Sequence, residues 1–179
     1  AFVLDLSDGS LILAEKKYEV NGEKCFYFSE LFLECRAPLS QKSKLDIVTR
    51  AVDQVAKKYY GDEDAQKKME IKDIICNELE EQGEIKVSEL REKVFPGSPE
   101  MLEELDEKLD RYNLSYETVA PKNEQTIKKF QKQKLYTDTG IEITIPMEEY
   151  RNPDHVEFIT NMDGTISVLV ENIGILSSK

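Results

Sequence analysis

Side chains that could act together as catalytic groups are few in this sequence of 179 residues. The only histidine, His155, has no serine or cysteine beside it that it could activate as a nucleophile. The sequence lacks the G-x-S-x-G turn that exposes a serine nucleophile. Its eight glycines are scattered singly, which excludes both kinds of glycine-rich phosphate-binding loop. We therefore predict no catalytic residues and a protein that is not an enzyme.

Metal and cofactor sites are also poorly supported by the residue pattern. The adjacent acids Asp62-Glu63-Asp64 lack the spacing of a calcium-binding loop, and acids at the start of a helix are favoured by the helix dipole alone. Cys25, Cys35 and Cys76 are widely spaced and form no C-x-x-C pair, so neither a disulfide framework nor a zinc site is expected. The sequence predicts no metal and no cofactor, and its cysteines favour a reducing cytoplasm.

Charge limits what the chain can bind. The formal net charge is -12, so the chain as a whole repels polyphosphate, and contact with nucleic acid requires a local basic patch. One segment, "PKNEQTIKKFQKQKL", reverses the sign, with a single acid, Glu124, among its lysines. We call these lysines the lysine strip: Lys122, Lys128, Lys129, Lys132 and Lys134. Bound to duplex phosphates, five lysines would give a salt slope of about -4.5. The alternative interpretation is a solvated helix face that offsets nearby acids.

A helix-turn-helix pattern precedes the lysine strip. A short strand, Glu84 to Val87, leads into a helix that opens at Ser88, a turn follows at Pro96-Gly97, and a second helix starts at Ser98-Pro99. In DNA-binding versions of this motif the second helix lies in the major groove. The pattern therefore predicts a winged-helix-like unit and raises the question of whether its second helix contacts DNA.

The charges of that second helix argue against DNA contact. Six acids stand against only Lys108 and Arg111, and each carboxylate close to a phosphate would cost on the order of 1 kcal/mol. We therefore expect the helix to act as a scaffold or as a surface for a protein partner. The candidate partner-binding residues, which we call the acidic stripe, are Glu100, Glu103, Glu104, Glu107 and Asp110.

The N-terminal residues have the pattern of β-hairpins. Asp8-Gly9 and Asn21-Gly22 are two-residue turn signals, and Leu11 to Val20 and Lys24 to Phe28 are the candidate arms. The aromatic-rich stretch from Phe26 to Leu33 is expected to be a strand that lies in the core or forms an exposed partner surface.

Two helices should follow the hairpins. Their inner faces have the spacing of helical stripes. The inner residues are expected to be Leu45, Val48, Val52, Val55 and Tyr59 in the first helix, and Ile71, Ile74, Ile75 and Leu79 in the second. In the helix-turn-helix segment we expect Leu90, Val94, Leu102, Leu105, Leu109 and Tyr112 to face inward. The lysine strip should form a short helix with a thin apolar edge.

The C-terminal residues return to the period of a strand. Ile141, Ile143 and Ile145 alternate with polar residues, and a hairpin turn is expected at Asp163-Gly164. The predicted class is α+β, with N-terminal β-hairpins, a central helical unit with winged-helix-like features and C-terminal antiparallel strands. We expect three parts, at residues 1–39, 40–118 and 119–179.

Three stretches carry a resemblance to a known family: "ICNELEEQGEIKVSELREKVF", "YETVAPKNEQTIKKFQKQKL" and "TGIEITIPMEEYRNPDHVEFITNMDGTISVLVENIG". In pattern and order, the segment from about Lys44 to Ile175 resembles the C-terminal part of the bacterial nucleoid-associated proteins of the NdpA-like kind. The resemblance implies a cytoplasmic, non-enzymatic protein of the bacterial nucleoid with a longer N-terminal region. The start on "AFVLDL", without Met, gives the same expectation of a chain cut from a longer protein.

Two functions follow as hypotheses. The first is a C-terminal fragment of a nucleoid-associated protein that associates with bacterial chromosomal DNA, directly through the lysine strip or through a nucleoid protein partner. The alternative is an acidic protein-interaction module that docks on a basic, DNA-associated partner. No apolar run is long enough to span a membrane. We also expect a homodimer, formed through the edges of the Phe26 to Leu33 strand and the C-terminal hairpin.

Overall fold

The computed structural model describes residues 2–4, 6–7, 11–13, 15–20, 22–34, 38–61 and 64–177. The chain forms two compact units, Ala1–Ser40 and Gln41–Lys179. Small antiparallel strand pairs and α-helices make up the chain, which confirms the α+β class. The three-part division of the chain stays a prediction.

The first unit contains two antiparallel hairpins. Strand β1 (Phe2–Leu4) pairs with β2 (Leu11–Leu13), and β3 (Lys17–Val20) pairs with β4 (Glu23–Phe26). The predicted arm from Leu11 to Val20 is therefore divided into two strands. Gly22 has a φ of 83°, the left-handed conformation that a tight hairpin turn requires. The other turn signal, Asp8-Gly9, lies outside the described residues.

The predicted strand from Phe26 to Leu33 is wrong beyond its first residue. A wide helical segment of the π type occupies Tyr27–Phe32. Helical spacing brings the rings of Phe28 and Phe32 together, with centroids 5.5 Å apart, a contact that an extended strand would not permit. This segment therefore offers no strand edge to a second copy of the chain.

The second unit is built on two long helices, α1 (Gln41–Tyr60) and α2 (Ala65–Glu81). The predicted stripe of α1 is confirmed at Leu45, Val48, Val52 and Val55, which are all buried. Tyr59 was wrongly predicted to face inward, since it is 39% exposed. The smaller residues Ala51 and Ala56 are buried on α1 in its place.

Glycine and a capping acid fix the ends of these helices. Gly61 has a φ of 84° and its N–H donates to the carbonyl of Lys57, which ends α1. Helix α2 starts after Asp64, whose carboxylate accepts a hydrogen bond from the backbone N–H of Lys67 at 2.9 Å. The predicted helix start at Asp62 lies outside the described residues.

The helix-turn-helix prediction is confirmed in its order of elements. Strand β5 (Ile85–Lys86) leads directly into α3 (Val87–Val94), and α4 (Pro99–Asp110) follows the turn. A two-residue strand, β6 (Thr118–Val119), returns to pair with β5. These elements pack on α1 and α2 around one core, which gives the unit its winged-helix-like character.

The inner faces of α3 and α4 largely follow the sequence pattern. Leu90, Val94, Leu105 and Leu109 are buried, and Leu102 is partly buried against the same core. Tyr112 was wrongly predicted to face inward, because α4 ends at Asp110 and the tyrosine is 52% exposed. Buried Met101, one turn before Leu105, extends the inner face at its other end.

The lysine-rich segment folds as a helix followed by a strand. Helix α5 covers only Glu124–Lys128, and β7 covers Lys132–Tyr136, so the prediction of a single short helix is wrong for the second half. Strand β7 pairs with β8 (Glu142–Pro146), a partner that lies later in the sequence. The chain then forms α6 (Met147–Tyr150) and the hairpin of β9 (Val156–Thr160) and β10 (Ile166–Val170).

Helix α2 is buried on two sides. Ile71, Ile75 and Leu79 belong to the core that it shares with α1, α3 and α4. Met69 and Cys76, which are fully buried, belong to a second cluster built with the C-terminal strands. The other members of that cluster are Ile145, Met147 and Val156, with Phe130, Leu135, Ile143, Tyr150, Phe158 and Val168 partly buried against it.

Candidate nucleic-acid interface

The lysine strip lies on α5 and β7 and in the residues that flank α5. Lys122 precedes the helix, Lys128 is its last residue and Lys129 follows it. Lys132 and Lys134 alternate with Gln133 and Leu135 on β7, so they share the exposed face of that strand. All five lysines are exposed to solvent.

Packing fixes the part of the strip on α5, although this helix has only five residues. The side chain of Asn123 caps the helix by accepting a hydrogen bond from the N–H of Gln125 at 2.8 Å. Thr126 is buried, and Ile127 and Phe130 pack against the main core. A helix of this length is not stable in water by itself, so these contacts determine where Lys128 and Lys129 lie.

Strand β7 is held on α2 by a lysine that sequence analysis did not single out. The ammonium group of Lys72 donates to the backbone carbonyl of Lys132 at 2.8 Å and to the side-chain oxygen of Gln133 at 2.5 Å. Lys72 therefore positions the strand that displays Lys132 and Lys134. The periodicity of α2 gives no signal of this role, because the acceptors lie about 60 residues later in the sequence.

Two of the five strip lysines are paired with carboxylates. Lys128 lies 3.6 Å from Glu124 one turn earlier on α5. The ammonium group of Lys134 donates to Glu142 on β8, and this hydrogen bond raises the pKa of Lys134. Among the described residues, Lys122, Lys129 and Lys132 form no side-chain ion pair. The strip therefore presents three unpaired cations and two that already have an acidic neighbour.

The acidic stripe lies on the solvent side of α4. Glu100, Glu103, Glu107 and Asp110 are exposed and follow one another at intervals of three or four residues, which places them along one face. Within the described ranges, none of these four carboxylates has an ion pair, although Asp110 accepts a hydrogen bond from the neutral Ser115 hydroxyl.

Glu104 differs from the rest of the acidic stripe because its carboxylate forms ion pairs with lysines of the same protein. One oxygen lies 2.5 Å from the ammonium group of Lys58 on α1, and the other lies 3.6 Å from Lys108. The hydrogen bond from Lys58 lowers the pKa of Glu104. Glu104 therefore links α4 to α1. The negative charge that no cation neutralises lies on the other carboxylates of the acidic stripe.

This charge distribution argues against α4 as a helix that reads DNA bases. Approach to the major groove would bring four carboxylates without an ion pair toward a dense line of phosphates, where each close pair of like charges is repulsive.

The single histidine has a local partner. Nδ1 of His155 lies 2.5 Å from a carboxylate oxygen of Glu149, which links the segment before β9 to α6. In the described part of the chain, no group of three or more histidine, cysteine or acidic side chains could hold a metal ion. None of the described helices is both long and apolar enough to cross a membrane.

Comparison with known protein families gives a match over most of the chain. The model of a family described as nucleoid-associated protein YejK matches residues 6–175. No curated protein and no solved structure matches the chain. The family match starts well before Lys44, so the likeness is not confined to the C-terminal part that the sequence motifs suggested.

Proposed function

Since the chain belongs to the family of nucleoid-associated protein YejK, we propose that it contacts bacterial DNA directly through the lysine strip. Family membership supports a nucleoid-associated role for the chain. The direct contact is supported by one observation: Lys122, Lys129 and Lys132 are exposed and unpaired, within the described residues, on a chain with a net charge of -12.

The proposed contact is weak and independent of base sequence. Three lysines on duplex phosphates give a salt slope of about -2.7, since each neutralised phosphate contributes about -0.9. Lys128 and Lys134 add to this slope only if phosphate displaces Glu124 and Glu142. Both ion pairs are solvent-exposed and are therefore screened, so a phosphate competes with the carboxylates for the same ammonium groups.

Charge reversal within the strip tests this function. Lys122→Glu, Lys129→Glu and Lys132→Glu are combined in one variant, and Lys16→Glu, Lys42→Glu and Lys86→Glu in a control of equal net charge. The control lysines are all exposed and lie outside α5 and β7. Binding of a labelled DNA duplex is measured by fluorescence anisotropy between about 25 and 200 mM salt.

We expect the strip variant to lose binding and the control to keep most of it, because a local phosphate contact depends on position as well as on net charge. Equal loss in both variants would show that only the overall charge matters. Undiminished binding by the strip variant would remove the lysine strip from the interface.

The acidic stripe supports a second function, docking on a basic nucleoid protein. Glu100, Glu103 and Glu107 form an exposed row of carboxylates with no ion pair in the described residues, and such a row favours a cationic partner. The test compares a Glu100→Gln, Glu103→Gln, Glu107→Gln variant with a control that carries Glu81→Gln, Glu148→Gln and Glu157→Gln, three exposed acids on other elements.

Each protein is immobilised and exposed to a nuclease-treated bacterial lysate. We expect the parent and the control to retain basic nucleoid proteins that the stripe variant loses. If the parent retains those proteins from an untreated lysate but not from the nuclease-treated lysate, DNA bridges the two proteins and the acidic stripe is not a docking surface.

A further inference from the structure

Strand β10 has an edge that no other described strand covers, because only β9 pairs with it. Its sequence, ISVLV, contains no charged residue, whereas β7, β8 and β9 each contain a lysine or a glutamate. Charged side chains on an edge strand are one of the ways in which proteins prevent pairing with another chain. The edge of β10 lacks this protection.

The backbone groups on this edge can be identified from the register of the hairpin. The N–H of Glu171, just beyond β10, donates to the carbonyl of His155 at 3.0 Å, so the residues of β10 in phase with Glu171 are bonded to β9. Alternate residues of an antiparallel strand direct their N–H and C=O groups to opposite edges. Ile166, Val168 and Val170 therefore direct theirs to the uncovered edge.

The side chains of β10 combine a fixed position with exposed apolar surface. Val168 packs against the second hydrophobic cluster, which holds the strand in place. In contrast, Ile166, Leu169 and Val170 are 43%, 40% and 49% exposed. Another strand laid along this edge would therefore remove apolar surface from water in addition to pairing the backbone groups.

We propose that β10 pairs antiparallel with β10 of a second copy of this chain, across a twofold axis at Val168. In this register Ile166 opposes Val170 of the second copy. Ser167 likewise opposes Leu169 of the second copy on the other face of the sheet. Every outward N–H and C=O group of Ile166, Val168 and Val170 then has a partner in the other copy.

Charge identifies a second copy as the occupant of this edge. A twofold interface requires a surface that is complementary to itself, and an uncharged strand meets this condition. Just beyond the strand, Glu171 opposes Thr165 of the second copy, so no carboxylate of the paired segment faces another carboxylate. A basic strand from another protein would find no carboxylate on β10 with which to pair.

The dimer should be weak and should respond to salt. Pairing two strands of five residues gives an interface smaller than the standard one of about 1,600 Å², so we expect a dissociation constant on the order of 10 μM. Two chains with a net charge of -12 repel each other, and salt screens this repulsion. Dimerisation should therefore tighten as salt rises, whereas DNA binding through the lysine strip weakens.

Substitutions at the two opposed positions test the register. Ser167→Lys with Leu169→Lys places lysines opposite lysines, and Ser167→Lys with Leu169→Glu places lysines opposite glutamates. Both positions are exposed, so neither change disturbs the core. Gln82→Lys with Ser88→Lys is the control, which adds two lysines at exposed positions outside the hairpin. Sedimentation equilibrium from about 1 to 500 μM protein, at about 50 and 300 mM salt, measures the dissociation constants.

We expect the like-charge variant to dimerise at least about tenfold more weakly than the parent, because two pairs of lysines face each other. A simple effect of net charge would act in the opposite direction, since added lysines reduce the repulsion between copies. The opposite-charge variant should stay within about threefold of the parent. The control should dimerise at least as tightly as the parent.

Three results would overturn the dimer. A parent that is monomeric at every concentration leaves the edge to a strand of another protein or to no partner. A like-charge variant that dimerises as the parent does places the interface elsewhere. Equal weakening in both charge variants contradicts the antiparallel register at Val168.

The dimer and the proposed function can fail separately. The lysine strip variant described above should dimerise as the parent does at about 300 mM salt, because the strip does not include β10. A monomeric strip variant would contradict β10 as the interface. Only one consequence rests on the proposed function: a dimer carries two lysine strips, so a weak contact of each strip with DNA is reinforced by the other.

Discussion

The guanidinium of Arg151 lies 2.5 Å from the carboxylate of Asp73, a contact that joins the end of α6 to the middle of α2. The same side chain donates from Nη1 to Glu80 at 2.9 Å, two turns further along α2. Partial burial opposes the charged form, but the hydrogen bonds to both carboxylates raise the pKa of Arg151. One arginine thus clamps the C-terminal part of the second unit onto its central helix.

Arg151→Ala should destabilise the second unit by about 1–2 kcal/mol, because two charge-assisted hydrogen bonds are lost at a site that solvent partly screens. For a chain of this size, the melting temperature should fall by about 3–6 °C. Arg50→Ala is the control, since Arg50 is exposed on α1 and forms no ion pair among the described residues. An equal shift in both variants would contradict the clamp.

Glu80 should make stability depend on pH. The hydrogen bond from Arg151 is the main reason that the pKa of Glu80 is lowered in the folded state. Its contribution is therefore present above the ordinary glutamate pKa of about 4.3 and is lost as the pH falls through the lowered value. The free energy of unfolding of the parent should exceed that of Glu80→Gln at pH 7, and the two should converge in acid. Glu81→Gln, an exposed neighbour, should show no such convergence.

Cys76 should resist thiol reagents in the folded protein. The side chain is fully buried, and desolvation raises its pKa from 9.0 to about 11. At pH 8 this shift alone lowers the thiolate fraction about 100-fold. The measurement uses Cys25→Ser with Cys35→Ser to leave only Cys76, and Cys35→Ser with Cys76→Ser to leave only the partly buried Cys25. Similar labelling rates for the two thiols without denaturant would contradict the burial of Cys76.

The turn between α3 and α4 depends on glycine. Gly97 has a φ of 69° and no atom near the position that a Cβ would occupy, so Gly97→Ala meets no clash and is affected only by backbone strain. We expect a loss of about 1 kcal/mol in the free energy of unfolding. Gly174→Ala is the control, because Gly174 has open space around it and no left-handed φ. Chemical denaturation of both variants measures the difference.

Features that depend on local spacing could be predicted from the sequence. The inner face of α1 at Leu45, Val48, Val52 and Val55 follows from helical periodicity, and the hairpin turn at Asp163-Gly164 follows from a local turn preference that Gly164 satisfies with a φ of 84°. Tyr59 fits the same periodicity but lies one residue before the end of α1, where the stripe meets solvent.

Features that depend on distant partners could not be predicted in the same way. The apolar periodicity of α2 predicted that Ile71, Ile75 and Leu79 are buried. Met69 and Cys76 are also buried, but by strands that lie more than 50 residues later in the sequence. The ion pairs of the lysine strip show the same contrast between local and distant partners. The pair of Glu124 and Lys128 follows from helical spacing, whereas the pair of Lys134 and Glu142 requires the register of β7 and β8.

The double burial of α2 has a consequence for how the second unit comes apart. Because the same helix forms a wall of both hydrophobic clusters, losing either cluster strips one side of α2 and exposes apolar surface to water. Neither cluster can unfold at a low free-energy cost while the other stays folded. The 139 residues of this unit should therefore unfold in one cooperative step, with no half-folded species in which the C-terminal strands are lost and the helical core survives.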